Sequence, residues 1–252
     1  MIMKTTLKQQ RTAFTRIELL VVIFLLMVLA ICLLPRFSTP RTKSLRIACV
    51  NNLKEIGTAY RLWEGDHGDL VPSQQTVKKG GWGDFLTNAD QGAICWTNYA
   101  IMRKELGESP KLLVCPSDKR KAAADLTNDF KNNTHVSYFV GVGANDTYPQ
   151  AIAGGDRNLG PGTNPDSDYG FSPKSGKGND VIIPIAGPVS WSLKMHSGGY
   201  TPGAGNCLLG DSSGQQCSSA IFNRTWLPNA QGADIWPAGH IPAAPSIRLV
   251  FP

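Results

Sequence analysis

Phe14-Thr15-Arg16-Ile17-Glu18, followed by the unbroken apolar run from Leu19 to Leu34, is the stretch that decides how the first part of this chain is read. An apolar run of that length predicts a helix that spans a membrane. Glu18 stands at its head, where an acidic side chain carries roughly 2.5–3.5 kcal/mol of insertion penalty at mid-bilayer and less near the interface. Such a group needs a cationic partner. Lys4, Lys8 and Arg11 form a basic leader without any acid, ending at Ala13. A cut between Ala13 and Phe14 frees an amine. Glu18 of one chain then faces the Phe14 ammonium of a neighbour if two such helices pack in parallel with an axial stagger.

An ordinary secretory signal or a lipoprotein signal explains the segment less well. No A-x-A site follows the run, and in Leu29-Ala30-Ile31-Cys32 the Ile occupies a position that a lipobox gives to a small residue. Arg36, Arg41, Lys43 and Arg46 follow the run as closely as Lys4, Lys8, Arg11 and Arg16 precede it, so charge alone sets no orientation.

Ala13-Phe14-Thr15-Arg16-Ile17-Glu18-Leu19-Leu20-Val21-Val22-Ile23 resembles the class III signal of type IV pilins and type II secretion pseudopilins, G-F-T-L-I-E-L-L-V-V-I. Ala13 stands where that pattern has Gly, and Arg16 where it has Leu. The resemblance implies a prepilin peptidase that cuts before Phe14 and methylates its amine, an assembly role for Glu18, and a helix kink at Pro35. Further stretches extend it: Cys49-Val50-Asn51-Asn52-Leu53-Lys54-Glu55-Ile56-Gly57, Cys115-Pro116-Ser117-Asp118, Val136-Ser137-Tyr138-Phe139-Val140-Gly141 and Gly155-Asp156-Arg157-Asn158. These are similar to a prepilin-like group of Planctomycetes and Verrucomicrobia that carries a C-terminal H-x9-D-G motif. Its counterpart here runs from His196 to Asp211-Ser212, with a longer gap and Ser in place of Gly.

After Pro35 and Pro40, Leu45, Cys49, Leu53, Ile56, Tyr60 and Trp63 recur at spacings of three and four, which predicts a helix with one core-facing stripe. Gly65 is a natural stop. The resulting picture is one helix from about Phe14 to Glu64, its first half in the membrane and its second half packed on a head, bent at Pro35. Beyond it, short apolar runs between turn residues predict strands at Leu112–Cys115, His135–Val142, Val181–Ile183, Asn206–Gly210 and Arg248–Phe251, with Gly154–Gly178 an irregular surface loop. The fold class expected is α+β and pilin-like: a long N-terminal helix followed by a mostly antiparallel sheet with long loops. The organisation expected is a leader at 1–13, a transmembrane and assembly helix at 14–35, and a periplasmic or surface-exposed head at 36–252.

Of the net charge of +6, three units lie in Met1 to Ala13, so the remainder gives little reason to expect nucleic acid as a partner. Cys32 lies in the apolar run, and Cys49, Cys95, Cys115, Cys207 and Cys217 lie in the head. An oxidising periplasm permits disulfides whose connectivity the sequence leaves open. Cys95 with Cys115 and Cys207 with Cys217 are the pairs to test first, leaving Cys49 a buried thiol. No C-x-x-C or His/Cys cluster is present in sequence, which argues against zinc. Asp residues in glycine-rich loops keep Ca2+ open, with Asp156 and Asp211 as candidates, as the resemblance to calcium-holding major pseudopilins allows.

Gly210-Asp211-Ser212-Ser213-Gly214 imitates the nucleophile loop of chymotrypsin-like proteases, yet neither a base nor an orienting acid is evident beside it. The expectation is a non-enzyme: a filament subunit of a type II secretion or type IV pilus-like system, single-pass in the inner membrane. Its expected partners are prepilin peptidase, other pilin or pseudopilin subunits, and an inner-membrane assembly platform. The alternative is a membrane-tethered surface module that binds polysaccharide or protein.

Overall fold

Two helices open the part of the chain that the computed structural model describes, which comprises residues 15–33, 39–87, 95–164, 168–196, 203–230 and 245–252. Helix α1 spans Arg16–Leu33 and helix α2 spans Thr39–Asp66. Thr15 and Glu18 start α1 as a capping box: Glu18 Oε2 accepts from the Thr15 amide and hydroxyl, both at 2.9 Å, and the Glu18 amide donates to Thr15 Oγ1 at 3.4 Å. Pro40 falls in the first turn of α2, where a missing N–H removes no helix bond.

The expected single helix from Phe14 to Glu64 is therefore replaced by two. The membrane placement is overturned as well, because among the described residues no helix is long and apolar enough to cross a membrane. The 18 residues of α1 reach about 27 Å at 1.5 Å per residue. Arg16 and Glu18 occupy its first turn, so the apolar part is shorter still, against a hydrocarbon core of about 30 Å. A transmembrane, single-pass inner-membrane protein is thus not what the structure supports. Ala13, Phe14 and Pro35 lie outside the described residues.

The chain divides into two compact units, Met1–Arg41 and Thr42–Pro252. In the second unit, α2 buries Cys49, Leu53, Ile56, Tyr60 and Trp63, the stripe that its spacing predicts. A six-stranded sheet takes this stripe. Its strands are β1 (Tyr138–Gly141), β2 (Ile152–Asp156), β4 (Asn179–Pro184), β6 (Ala204–Leu209), β7 (Gly214–Ser218) and β8 (Ser246–Phe251), in the order β4-β8-β1-β2-β6-β7. Every neighbouring pair is antiparallel. A separate antiparallel pair joins β3 (Leu159–Pro161) to β5 (Val189–Trp191).

Alternation along the strands makes two cores. Tyr138, Val140, Leu208 and Val250 join the core that α2 covers. Phe139, Cys207, Leu249 and Phe251 point the other way and pack with Trp191, Phe222 and Leu227 from the β3–β5 side and the helical stretch 219–229. The antiparallel sheet matches the sequence reading; several of its details do not. Leu112–Cys115 is not a strand, because Pro110 opens a 3-10 turn over Pro110–Leu113. The expected loop Gly154–Gly178 begins with the end of β2 and contains β3. Its glycines permit close strand packing: a Cβ on Gly155 would lie 2.7 Å from both Asn206 O and Phe139 Cζ.

Candidate functional site

The four head stretches quoted for the pilin resemblance converge on one buried polar centre. Cys49 comes from the core stripe of α2, and Cys115 follows the 3-10 turn at Pro110–Leu113. Asp156 ends β2 on the face toward α2, opposite Tyr138 of β1. His196 closes the segment after β5, just past Met195, which holds a left-handed φ of 65°. All four are buried, and one donor atom from each lies within 4.8 Å of the others.

Cys49 Sγ donates to Asp156 Oδ1 at 3.0 Å, His196 Nε2 stands 3.1 Å from Asp156 Oδ2, and Cys115 Sγ stands 3.4 Å from the same nitrogen. Around them, the Asn206 amide and Nδ2 donate to Asp156 Oδ2 at 2.7 and 2.8 Å, and Nδ2 lies 3.0 Å from His196 Nε2. Tyr138 Oη lies 3.3 Å from Cys49 Sγ, and the Ser117 amide donates to Cys115 Sγ at 3.5 Å. His196 Nδ1 is buried without a partner among the described residues.

The electrostatics couple the four groups. Burial, then Cys115 and the charge of Asp156, push the Cys49 thiol well up. Burial acts to raise Cys115 too, but hydrogen bonds with Cys49 and His196 outweigh it and hold this thiol down. Burial would lower His196, yet Asp156 and Cys115 raise it to about 10. Adjacent to this centre, Asp118 and Arg157 from two of the same stretches form a paired fork at 2.6 and 2.9 Å, with Ser137 Oγ donating to Asp118 at 2.7 Å. The Tyr169 ring lies 3.4 Å from the Arg157 guanidinium.

Cys115, His196 and Asp156 do not form a nucleophile relay. A relay needs the nucleophile and the acid on opposite ring nitrogens, whereas both meet Nε2 here, in a buried place. The serine lookalike resolves likewise. Ser212 Oγ donates to Gly57 O and accepts from Arg61 Nε, both at 3.0 Å, tying the β6–β7 turn to α2. Ser212 adopts φ 65°, the left-handed conformation that a Gly takes without strain. His67 stacks on Trp63 at 3.5 Å.

Asp156 and Asp211, the calcium candidates, are not brought together: Asp156 is in the buried centre, while Asp211 is exposed and accepts from the Ser213 amide in the β6–β7 turn. The same distribution separates His196 from Asp211. Cys95 Sγ donates to Tyr138 O at 3.4 Å, and Cys115 instead adjoins Cys49 and His196. Cys207 and Cys217 are free thiols with sulfurs 3.2 Å apart. Oxidised protein is expected to link these two, which blocking of free thiols followed by peptide mass mapping will read. Recovery of both as blocked thiols after oxidation would exclude the link.

The sequence reading missed Cys49, Cys115 and His196 as a ligand set, since no local metal spacing links them: together with Asp156 they come from four separate parts of the chain. Comparison with known proteins adds nothing to the geometry. No match was found. No family model, curated protein or solved structure matches the chain, and the pilin and secretion reading gains no support from them.

Proposed function

We propose that this chain is a structural subunit of the prepilin-like kind that assembles with other copies through α1 after cleavage before Phe14. One observation carries the reading: large apolar side chains from Ile17 to Ile31 are exposed around the whole helix. A helix apolar on every side is covered in its working state. Since α1 is too short and too charged at its head to cross a membrane, the cover that fits is protein, and parallel copies of the same helix supply it. Glu18 then has two roles. It caps its own helix through Thr15, and its charge sets the stagger against a neighbour's Phe14 amine.

These roles separate by substitution, because Gln keeps the capping hydrogen bonds and removes the charge. Glu18→Gln is expected to retain the helix yet lose most cross-linking between cysteines introduced along neighbouring α1 segments. Glu18→Ala is expected to lose the cap as well. Assembly of both variants at the parent level, read as cross-linked ladders, would overturn the charge-guided reading.

A further inference from the structure

We propose that Cys49 Sγ, Cys115 Sγ, the Asp156 carboxylate and His196 Nε2 form a closed structural site for one Zn2+. This inference is independent of α1 and its assembly. The first argument is stoichiometric. His196 Nε2 lies within 3.4 Å of a thiol sulfur, a carboxylate oxygen and an amide nitrogen at once, and Asp156 also faces a second thiol. One ring nitrogen offers either one proton or one lone pair, so it satisfies one of these neighbours and leaves the others. A cation at the centre serves all four donors together.

The second argument is geometric. Donors bound 2.0–2.3 Å from a tetrahedral centre lie about 3.3–3.8 Å from one another. The separations here are 3.0, 3.1 and 3.4 Å, with every donor within 4.8 Å of the rest. Cys49 meets Oδ1 and His196 meets Oδ2 of Asp156, so with one of these oxygens as the ligand, side-chain shifts of up to about 1 Å bring the donors to a tetrahedron.

Donor chemistry then selects the ion. Two thiolates and an imidazole are soft or borderline ligands that suit Zn2+, and Ca2+ would require six to eight oxygens where one carboxylate is present. The outer contacts are those a thiolate site uses: an amide N–H on Cys115, a phenol on Cys49, and the Asn206 amide and side chain on Asp156. Two thiolates, one carboxylate and Zn2+ leave a net charge of −1. Arg46 stands one hydrogen bond away on that side, its Nε donating to Asn206 Oδ1 at 3.3 Å. Coordination releases the thiol protons, and any proton on Nε2, to solvent.

Four protein ligands leave no position for water or substrate, so the ion's work is to hold the fold. It joins α2 to the turn after Pro110–Leu113, the end of β2 and the segment after β5. The experiment uses the full chain purified with a reductant. Zn2+ titration followed by dialysis and elemental analysis is expected to give one ion per chain, and Co2+ is expected to give tetrahedral d–d bands with a thiolate charge-transfer band. Zn2+ should raise the melting temperature and a chelator should lower it. Cys115→Ser should weaken the charge-transfer band, and His196→Gln should reduce affinity by at least tenfold, with circular dichroism reporting that each variant is folded. If the parent chain retains no Zn2+ and gives no cobalt spectrum under reducing conditions, the proposal is overturned. A Cys49–Cys115 disulfide in the reductant-treated parent chain would overturn it equally, and that readout survives even if the variants fail to fold.

Discussion

Replacing Arg157 by methionine is expected to lower the stability of the head by about 3–5 kcal/mol, since it strands a buried carboxylate. The Asp118 side chain is fully covered and that of Arg157 is 6% exposed. Arg157 reaches Asp118 with two nitrogens, the arrangement that gives charge-assisted pairing its strength. Arg120 cannot stand in for it. Its guanidinium donates to the carbonyls of Asn133, Val136 and Pro252, and burial together with Arg157 already lowers its own pKa to about 10. For a domain of this size the loss corresponds to roughly 6–20 °C in melting temperature.

The pH dependence distinguishes this mechanism from simple loss of packing. Burial acts to raise the Asp118 carboxyl, but Arg157, then Ser137 and the Lys119 amide, outweigh it and hold the group below its ordinary value. A depressed folded-state pKa contributes stability that is present above the unfolded value of about 3.9 and disappears as pH falls through the folded value. In Arg157→Met burial acts without its largest counterweight, only the Ser137 and Lys119 hydrogen bonds remaining, so the carboxyl rises; once it passes its unfolded value the sign reverses and that variant loses stability as pH rises. Denaturant melts of parent and variant should therefore diverge steadily from about pH 3 to pH 6. A constant gap across that range would assign the loss to packing alone.

What the sequence made legible follows from where its periodicity was clean. The stripe Cys49, Leu53, Ile56, Tyr60 and Trp63 gave the buried face of α2, and the alternation of Tyr138 and Val140 gave the face of β1 that meets it. Length misled where composition alone was counted: the apolar run reads as membrane-spanning, but Arg16 and Glu18 fall inside α1 and leave it short. β2 was hidden because Gly154 and Gly155 look like loop residues, although they are glycines for the sake of close strand contact. β5 and β7 are short or polar and carry no alternation strong enough to announce them. The buried centre was half legible. Cys115-Pro116-Ser117-Asp118 and Gly155-Asp156-Arg157-Asn158 stood out as motifs, yet only the fold places Cys115 and Asp118 of one beside Asp156 and Arg157 of the other. Ligand spacing fails as a signal when four ligands sit on four elements.

The second large effect lies on the opposite side of the sheet, where Trp191 is fully buried in an edge-to-face contact with Phe222 at 5.5 Å. Trp191→Ala is expected to cost about 3–5 kcal/mol through lost burial and the cavity left behind. Its indole rests on the backbone of β6 at Gly205, where an added Cβ would come within 2.4 Å of Trp191 Cε3 and 2.5 Å of Cδ2. Both atoms belong to a rigid ring, so Gly205→Ala alone is expected to cost about 1–3 kcal/mol by overpacking. The two losses share one cause, and for that reason they should not add. With the indole gone the new methyl enters the space it vacated, so the double variant should be more stable than the sum of the single effects by at least about 1 kcal/mol. Equilibrium unfolding of the four proteins closes this cycle. Strict additivity would mean that Gly205 is required for some reason other than the approach of Trp191, since no other contact at that position comes as close.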